Sequence, residues 1–510
     1  MRGYDAVANI SGDVTRDTSG VTFEGETDGT VLFPLLPGYR TVCYRYCVLA
    51  DAFRKRGYEP VLLVNDGTID APMGRTVDEN HSSTAQANFY SRRIPEKFGL
   101  ETTLLSDLLP KDAETLAGRP VADIDIERFA RASVRKHHKV HQLTLERDDI
   151  NASYRRFVRA GRLLAHAVSS LVSETDLVAV LAHEPYYVQG AVPMSVAKQH
   201  DVPAYSQVWG LRDGYLLFGR GCNRSPLPQY GDTTLLEREL TTPLSTDERD
   251  QIDTIMQRRA SGHNLAVDYA AHTDETVEAE DESTLVGVFT NLLWDASLEP
   301  EQAVYQDVFE WLEDTFDAVR GRDDITVVVK THPAEETFGT NESVRGWVTD
   351  HGDVPANVNL LEPTTDVDTY ALLDSLDTAV VYNSTVGLEA AYNGVPVIVA
   401  GDTHYRDLGL TVDVESQRAY RELLADVDSL EPDAARTTAA RRYAHFLFVK
   451  EHVPFEFCHR ERSTDQTLKP VDSADTDRGS EPFDTIVSAI VNDQPVLNPN
   501  HSDLLPAVQR

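Results

Sequence analysis

At 510 residues the chain exceeds a single ordinary hydrophobic core and has room for two domains with additional segments. Its apolar fraction, 41%, suits globular folding, no apolar run approaches the ~20 residues of a membrane span, and the first thirty residues lack the charged-then-apolar order of a secretion signal. The formal net charge of −36, spread along the whole chain, argues against nucleic acid as a general partner and fits a protein kept soluble at very high salt. The expectation is a cytoplasmic protein of halophilic composition.

Taken in chain order, residues 1–28 read as a mobile acidic leader rich in Gly, Thr and Asp. From 31 the pattern is strand (VLFPLL), loop (PGYRT), amphipathic helix (VCYRYCVLADAFRKRG, ending at Gly57) and strand (EPVLLVND), one βαβ unit. Cys43 and Cys47 lie four apart on that helix. A zinc site would need two further ligands at suitable spacing, so these two, with Cys222 and Cys458, are expected to be free thiols. Residues 68–120 are irregular and polar with short helical pieces, and 126–172 look mainly helical. A strand (177–184), a helix near 190–200 and a strand (202–210) form a second set. The stretch 274–283, DETVEAEDES, is acidic, nearly free of apolar residues and predicts a linker between domains.

The second half restarts with strand 285–293, then alternates helix and strand through ITVVVK (325–330), NVNLLE (357–362), TAVVYN (378–383) and VPVIVAG (395–401). Such alternation calls for a parallel sheet covered on both faces. Helices are expected near 415–427 and 434–449. From about 464 the chain reads as a loosely held polar tail with one short helix near 482–491. Two α/β domains joined by a linker place a ligand outside the carboxyl ends of the strands.

Three loops of the second half lie at such ends. Lys330 and His332, in Lys330-Thr331-His332-Pro333, are two residues apart and can face one side, offering an ammonium and an imidazole to a phosphate; the alternative is a loop histidine beside a solvated lysine. Ser384 and Thr385 open a helix whose unpaired N–H groups and partial positive charge suit an anion. Gly387 would permit close approach, and Glu389 could take a ribose hydroxyl. Simple capping explains the same residues. In the loop 401–411, His404, Tyr405 and Arg406 crowd the mouth of the sheet with Asp402 and Asp407, and Arg406 could meet a carboxylate or phosphate or pair with a neighbouring Asp. In the first half Glu184, after His183 at a strand end, could act as base or nucleophile on a sugar. Asp213 competes with it, and Gly38, Tyr39 and Arg40 could shape an acceptor side. The basic run Arg128–Arg162 fits either peripheral contact with the inner face of a membrane or a solvated helix face.

The segments KTHP (330–333), NSTVGLEAAYNGVPVIVAG (383–401) and HYRDLGLTVDV (404–414), in this order and spacing, resemble the capsule polysaccharide biosynthesis proteins, which include bacterial capsular Kdo transferases. The resemblance implies a GT-B-like α/β fold: two Rossmann-like domains facing across a cleft, with C-terminal helices. On this plan 29–273 is the acceptor domain, 274–283 the linker, 284–415 the nucleotide-sugar domain, 416–463 the C-terminal helices and 464–510 the tail. It further implies His332 on the donor phosphate, Ser384 and Thr385 on phosphate or nucleotide, Glu389 on the ribose, and no bound metal or other cofactor.

The function expected is transfer of a sugar from a nucleotide-activated donor to a surface polysaccharide or glycolipid, with Glu184 and His332 as catalytic groups. A CDP-glycerol-type phosphotransferase, a sugar-nucleotide epimerase and a non-catalytic nucleotide-sugar-binding protein of a surface-assembly complex are the alternatives.

Overall fold

The computed structural model describes residues 27–36, 39–71, 83–221, 233–262, 277, 283–295, 304–305, 307–351, 353–460 and 466–500. Two sheets organise it. The first contains β1 (Thr30–Pro34), β2 (Glu59–Val64), β3 (Thr102–Leu104), β4 (Leu177–His183), β5 (Ala204–Trp209) and β6 (Tyr215–Arg220), in the order β6-β5-β4-β1-β2-β3. Its strands run parallel except β6, which folds back antiparallel on β5. The second contains β7 (Thr284–Phe289), β8 (Ile325–Lys330), β9 (Val358–Leu361), β10 (Thr378–Val381), β11 (Val397–Val399) and β12 (Val412–Asp413). Its order is β12-β11-β10-β7-β8-β9, parallel throughout. Strands such as β8 and β10, mostly apolar and buried along their full length, satisfy the two-sided burial that parallel sheets impose.

Both sheets reverse direction in the same way. The chain winds outward from β1 to β3, then returns to the other side of β1 with β4; β7, β8, β9 and β10 repeat the pattern. Loops leaving the two strands at the reversal diverge and open a crevice at their carboxyl ends, where open α/β sheets bind ligands. In the first domain that point lies between β1 and β4, in the second between β7 and β10. This strand order makes each domain Rossmann-like, as the α/β, GT-B-like expectation requires.

The path between domains differs from the one expected. Leu235, Leu236, Ile252, Ile255 and Met256, on helices Thr233–Thr241 and Thr246–Ala260, pack in one core with Leu373, Leu388, Val399 and Tyr443. These helices therefore belong physically to the second domain, and the crossing precedes the acidic stretch 274–283, of which only 277 and 283 are described. The return crossing follows helix Ala434–His445, whose end widens into a π-helix at Phe446–Lys450. Next, β13 (Val453–Pro454) adds to the first sheet, antiparallel to β6.

The expected loose tail is held from 466 to 500. Phe483, Ile486, Val487 and Ile490 of the helix Phe483–Val491 are buried in the first core with Val31, Phe33 and Phe53. Full burial of such side chains stabilises by about 1.5–3 kcal/mol each. Arg56, at the end of helix Arg40–Lys55, binds the carboxylate of Asp484 and the carbonyl of Thr476, while the hydroxyl of Thr476 donates to buried Asp51 at 2.6 Å. Composition misleads here because polar residues alternate with the few apolar ones that dock. Cys43, Cys47 and Cys458 are buried free thiols, and burial pushes Cys43 and Cys47 up; Cys222 lies outside the described residues.

Candidate functional site

At the second-domain reversal, β10 runs into Tyr382-Asn383-Ser384-Thr385 and then helix Val386–Asn393. The Ser384 hydroxyl accepts the Val386 N–H at 3.3 Å. The residue that caps the helix is Thr385 rather than Ser384, and the Thr385 side chain makes no capping hydrogen bond. Asn291, just beyond β7, was not anticipated. Its Oδ1 accepts the Asn383 N–H at 3.1 Å and its amide donates to the Asn383 carbonyl, tying together the two loops that border the crevice. Its only sequence signal is a polar side chain directly after an apolar strand.

His332 leaves β8, the strand beside β7. Its Nδ1 accepts the Ala334 N–H at 3.1 Å. Burial lowers its pKa to about 4, so at neutral pH the ring is uncharged and, with Nδ1 accepting, carries its proton on Nε2. The β8 and β10 ends are two strand spacings apart, on the order of 10 Å, a span that a sugar phosphate or diphosphate can bridge.

Lys330 is placed otherwise than expected. It is buried, and its ammonium donates to the Val367 carbonyl at 2.8 Å; burial lowers its pKa and Asp368 offsets this. It braces the β8 end. Two residues beyond Pro333, buried Glu335 has its carboxyl raised to about 7 by burial, partly offset by the Val344 backbone amide. Its folded pKa lies above the unfolded one, so its contribution is favourable in acid and is lost as pH rises from about 4.5 through 7. The substitution Glu335→Gln should therefore be more favourable at pH 8 than at pH 5, by up to about 3 kcal/mol for a fully buried group. Thermal melts of both proteins across that range check this, and a pH-independent difference would refute it.

The third loop is an internal brace. His404 is buried; its Nδ1 donates to the Tyr443 hydroxyl at 2.7 Å, which donates to the His404 carbonyl at 2.8 Å, and burial lowers the imidazole to about 3. Tyr405 is fully buried and donates to the Ser384 carbonyl at 2.5 Å. A Cβ on Gly387 would lie 2.2 Å from that hydroxyl, so Gly387 makes room for Tyr405. Arg406 donates to the carbonyls of Gly401 (3.0 Å) and Val414 (2.5 Å) and lies 3.7 Å from the Asp407 carboxylate. Sugar contact by His404, Tyr405 and Arg406 gives way to support of the Ser384 turn.

Glu389 is also engaged. It is buried, and its Oε1 receives Arg259 Nη2 at 2.5 Å and Nε at 3.2 Å. The same guanidinium donates to the Leu211 carbonyl of the first domain at 2.9 Å and lies 4.6 Å from the Phe448 ring centre. Glu389 thus anchors an interdomain arginine, a placement at odds with a carboxylate open to ribose. Arg259 is 130 residues away in sequence, and nothing local signals the pair.

On the first-domain side Glu184 ends β4 with φ +50°, a left-handed backbone uncommon for a residue with a Cβ and typical of positions that the surroundings impose. Its Oε2 meets buried Lys136 at 2.6 Å, and its Oε1 lies 3.7 Å from His183 Nε2. His183, lowered by burial to about 3, accepts Arg45 Nη2 on Nδ1 at 2.9 Å. Asp213 instead pairs with His459 at 2.8 Å. Arg40 and Tyr39 start the first helix, and Gly38 lies outside the described residues.

Half of the ten lysines and arginines in the basic run form ion pairs: Lys136 with Glu184, Arg147 with Asp149, Arg156 with Asp70, Arg159 with Glu114 and Arg162 with Glu127. This favours the helix-face reading over a membrane patch. Among the described residues no helix is long and apolar enough to cross a membrane.

Residues 245–442 match the family model described as capsule polysaccharide biosynthesis protein. That region, rather less than half of the chain, is similar to the capsule polysaccharide biosynthesis proteins. The matched region spans the second domain from helix Thr246–Ala260 through helix Ala434–His445, and holds His332, Ser384 and Thr385. Among solved structures, the beta Kdo 2,4 transferase of Thermosulfurimonas dismutans KpsC is 15% identical, with 62% of this chain and 88% of that one covered at a TM-score of 0.36. The beta Kdo 2,7 transferase of the same KpsC is 13% identical, covering 54% and 79% at 0.33. The spinosyn rhamnosyltransferase SpnG is 12% identical, covering 82% and 95% at 0.27. No curated protein matches the chain. At these TM-scores the fold assignment rests on the strand order of the chain itself.

Proposed function

We propose that the chain is a glycosyltransferase of the capsule polysaccharide biosynthesis kind, which takes a sugar from a nucleotide donor held on the second domain and delivers it to a glycan or glycolipid acceptor on the first. The observation that carries the reading is the pairing of two crevices. One presents His332 with Ser384 and Thr385; the other presents Glu184, a carboxylate held in a left-handed turn. A departing nucleotide phosphate gains negative charge as the glycosidic bond breaks. The Nε2–H of neutral His332, the first turn of helix Val386–Asn393 and the unspent Thr385 hydroxyl are fixed donors for that charge and need no reorganisation. Glu184 supplies the opposing carboxylate, for a proton of the acceptor hydroxyl or for the sugar carbon itself.

Lys330, Asn291, Tyr405 and Arg406 hold the donor loops in shape, and Arg259 with Glu389 holds the domains in register. Product analysis tests the reading. The purified chain, supplied with nucleotide sugars and glycan acceptors at high salt, should add a glycosyl mass through a glycosidic bond. A phosphodiester product, or an epimerised donor formed without acceptor, would overturn it.

A further inference from the structure

Helix Ile126–His138 ends between the two crevices and touches both. On the first-domain side Lys136, itself only 3% exposed, holds Glu184 at 2.6 Å and lies 4.0 Å from the ring centre of Tyr187. Three residues later Lys139, 1% exposed, belongs to the other domain's wall: its ammonium is 4.5 Å from the ring centre of Trp294 and 5.5 Å from that of Phe338. Trp294 follows β7. Phe338 is on helix Ala334–Phe338, which starts directly after His332-Pro333. Trp294 Nε1 also donates to Thr340 at 2.8 Å, so the wall is one piece with the segment behind the His332 loop.

Lys139 has φ +54° and closes the helix in a left-handed turn, which exposes the carbonyls around it. The second domain reads them: Asn341 donates to the carbonyls of Lys139 at 3.0 Å and His138 at 2.7 Å. Glu342 in return accepts the N–H groups of His141 at 2.7 Å and Gln142 at 2.9 Å. His141 donates from Nδ1 to the Leu293 carbonyl at 3.2 Å and accepts the Val308 N–H on Nε2 at 3.3 Å. Each of these partners belongs to the loop after β7, to the segment after helix Ala334–Phe338 or to the start of helix Val308–Val319.

We infer that this helix end couples the two walls of the site: Lys136 is the positioning residue of Glu184, and Lys139, seated on Trp294 and Phe338, makes that position depend on the donor-side loop. Side chains three residues apart on a helix have Cβ atoms about 5–6 Å apart, so the seat at Lys139 fixes the lysine at Glu184 within one turn. A left-handed Glu184 can relax once its lysine moves; a donor that orders the His332 loop therefore orders the carboxylate that acts with it. The inference rests on the glycosyltransferase reading for its consequence, and on the contacts alone for the coupling.

Hydrogen exchange on the full chain tests the coupling without any substrate. Lys139→Met should speed exchange both at 334–342 and, across the cleft, at 184–190, by about tenfold, the order of a lost buried cation–π contact. Lys139→Arg should restore both segments. Lys136→Met should speed 184–190 and leave 334–342 as in wild type. Asn341→Ala, which leaves both lysine side chains in place and removes the side-chain bond to the His138 carbonyl, should repeat the Lys139→Met pattern more weakly and serves if that variant fails to fold. Faster exchange confined to 138–142 and 334–342, with 184–190 unchanged, would overturn the inference. In transfer assays Lys139→Met should lower kcat about tenfold while nucleotide affinity holds within about twofold. Wild type that transfers no sugar from any donor would refute the glycosyltransferase reading, and the exchange result would still decide the coupling.

Discussion

His332→Ala should cost on the order of 100- to 1,000-fold in kcat, the loss measured when one fixed donor to a developing anion is removed. The ring is neutral at working pH because burial lowers it to about 4, so its contribution is a directed N–H rather than a net charge. Two consequences separate this from a general loss of structure. Any pH dependence of the rate between about 6 and 8 should be the same in wild type and in His332→Ala, since His332 titrates well below that range. The Ala334 N–H loses its acceptor in this variant, at a cost of about 1 kcal/mol, so a loss in kcat of this size should come with only a modest fall in melting temperature. A variant that keeps wild-type kcat would remove His332 from the mechanism, and a titration near 6.5 present in the wild-type rate and lost in His332→Ala would contradict the neutral imidazole.

Arg259→Met should destabilise the protein by about 3–5 kcal/mol, the usual cost of leaving one partner of a buried ion pair uncompensated. Glu389 would keep its carboxylate inside the second domain with its guanidinium gone, and the contacts of Arg259 to Leu211 and Phe448 would go with it. Replacing both members, Arg259→Met with Glu389→Met, should recover most of the loss, since an apolar pair of similar volume avoids the stranded charge. Denaturant unfolding of the two singles and the double gives the coupling directly. A single variant within about 1 kcal/mol of wild type would mean the pair is not held as described, and would return Glu389 to the residues available for a nucleotide.

These two sites mark what could and could not be read from the chain. His332 stands where an apolar strand stops at a proline, and Ser384 where the next strand turns into a helix; both signals are local and both loops fall at the carboxyl edge of one sheet. The strands around them were legible because parallel strands are continuous apolar runs. Glu389 looked equally suitable, on the first turn of the same helix, but its role is set by an arginine 130 residues earlier. Gly387 looked like room for a ligand and is room for Tyr405, eighteen residues later. His404 and Arg406 have the composition of a site loop, yet their partners are Tyr443 and main-chain carbonyls, which sequence does not reveal. The short β3 and β6 escaped notice, as did the docking of the C-terminal helix expected near 482–491, for a related reason. Each is stabilised by packing against distant elements rather than by a strong local pattern.

Both the donor roles and the transfer reaction require nucleotide binding at the β7–β10 crevice. A thermal-shift comparison of CMP, CDP, UDP and GDP at high salt, run on wild type and on His332→Ala, tests it most directly, because a ligand that binds only the folded chain raises its melting temperature by mass action. One nucleotide should stabilise wild type, and the gain should shrink sharply in His332→Ala. No shift with any nucleotide, or the same shift in both proteins, would contradict it.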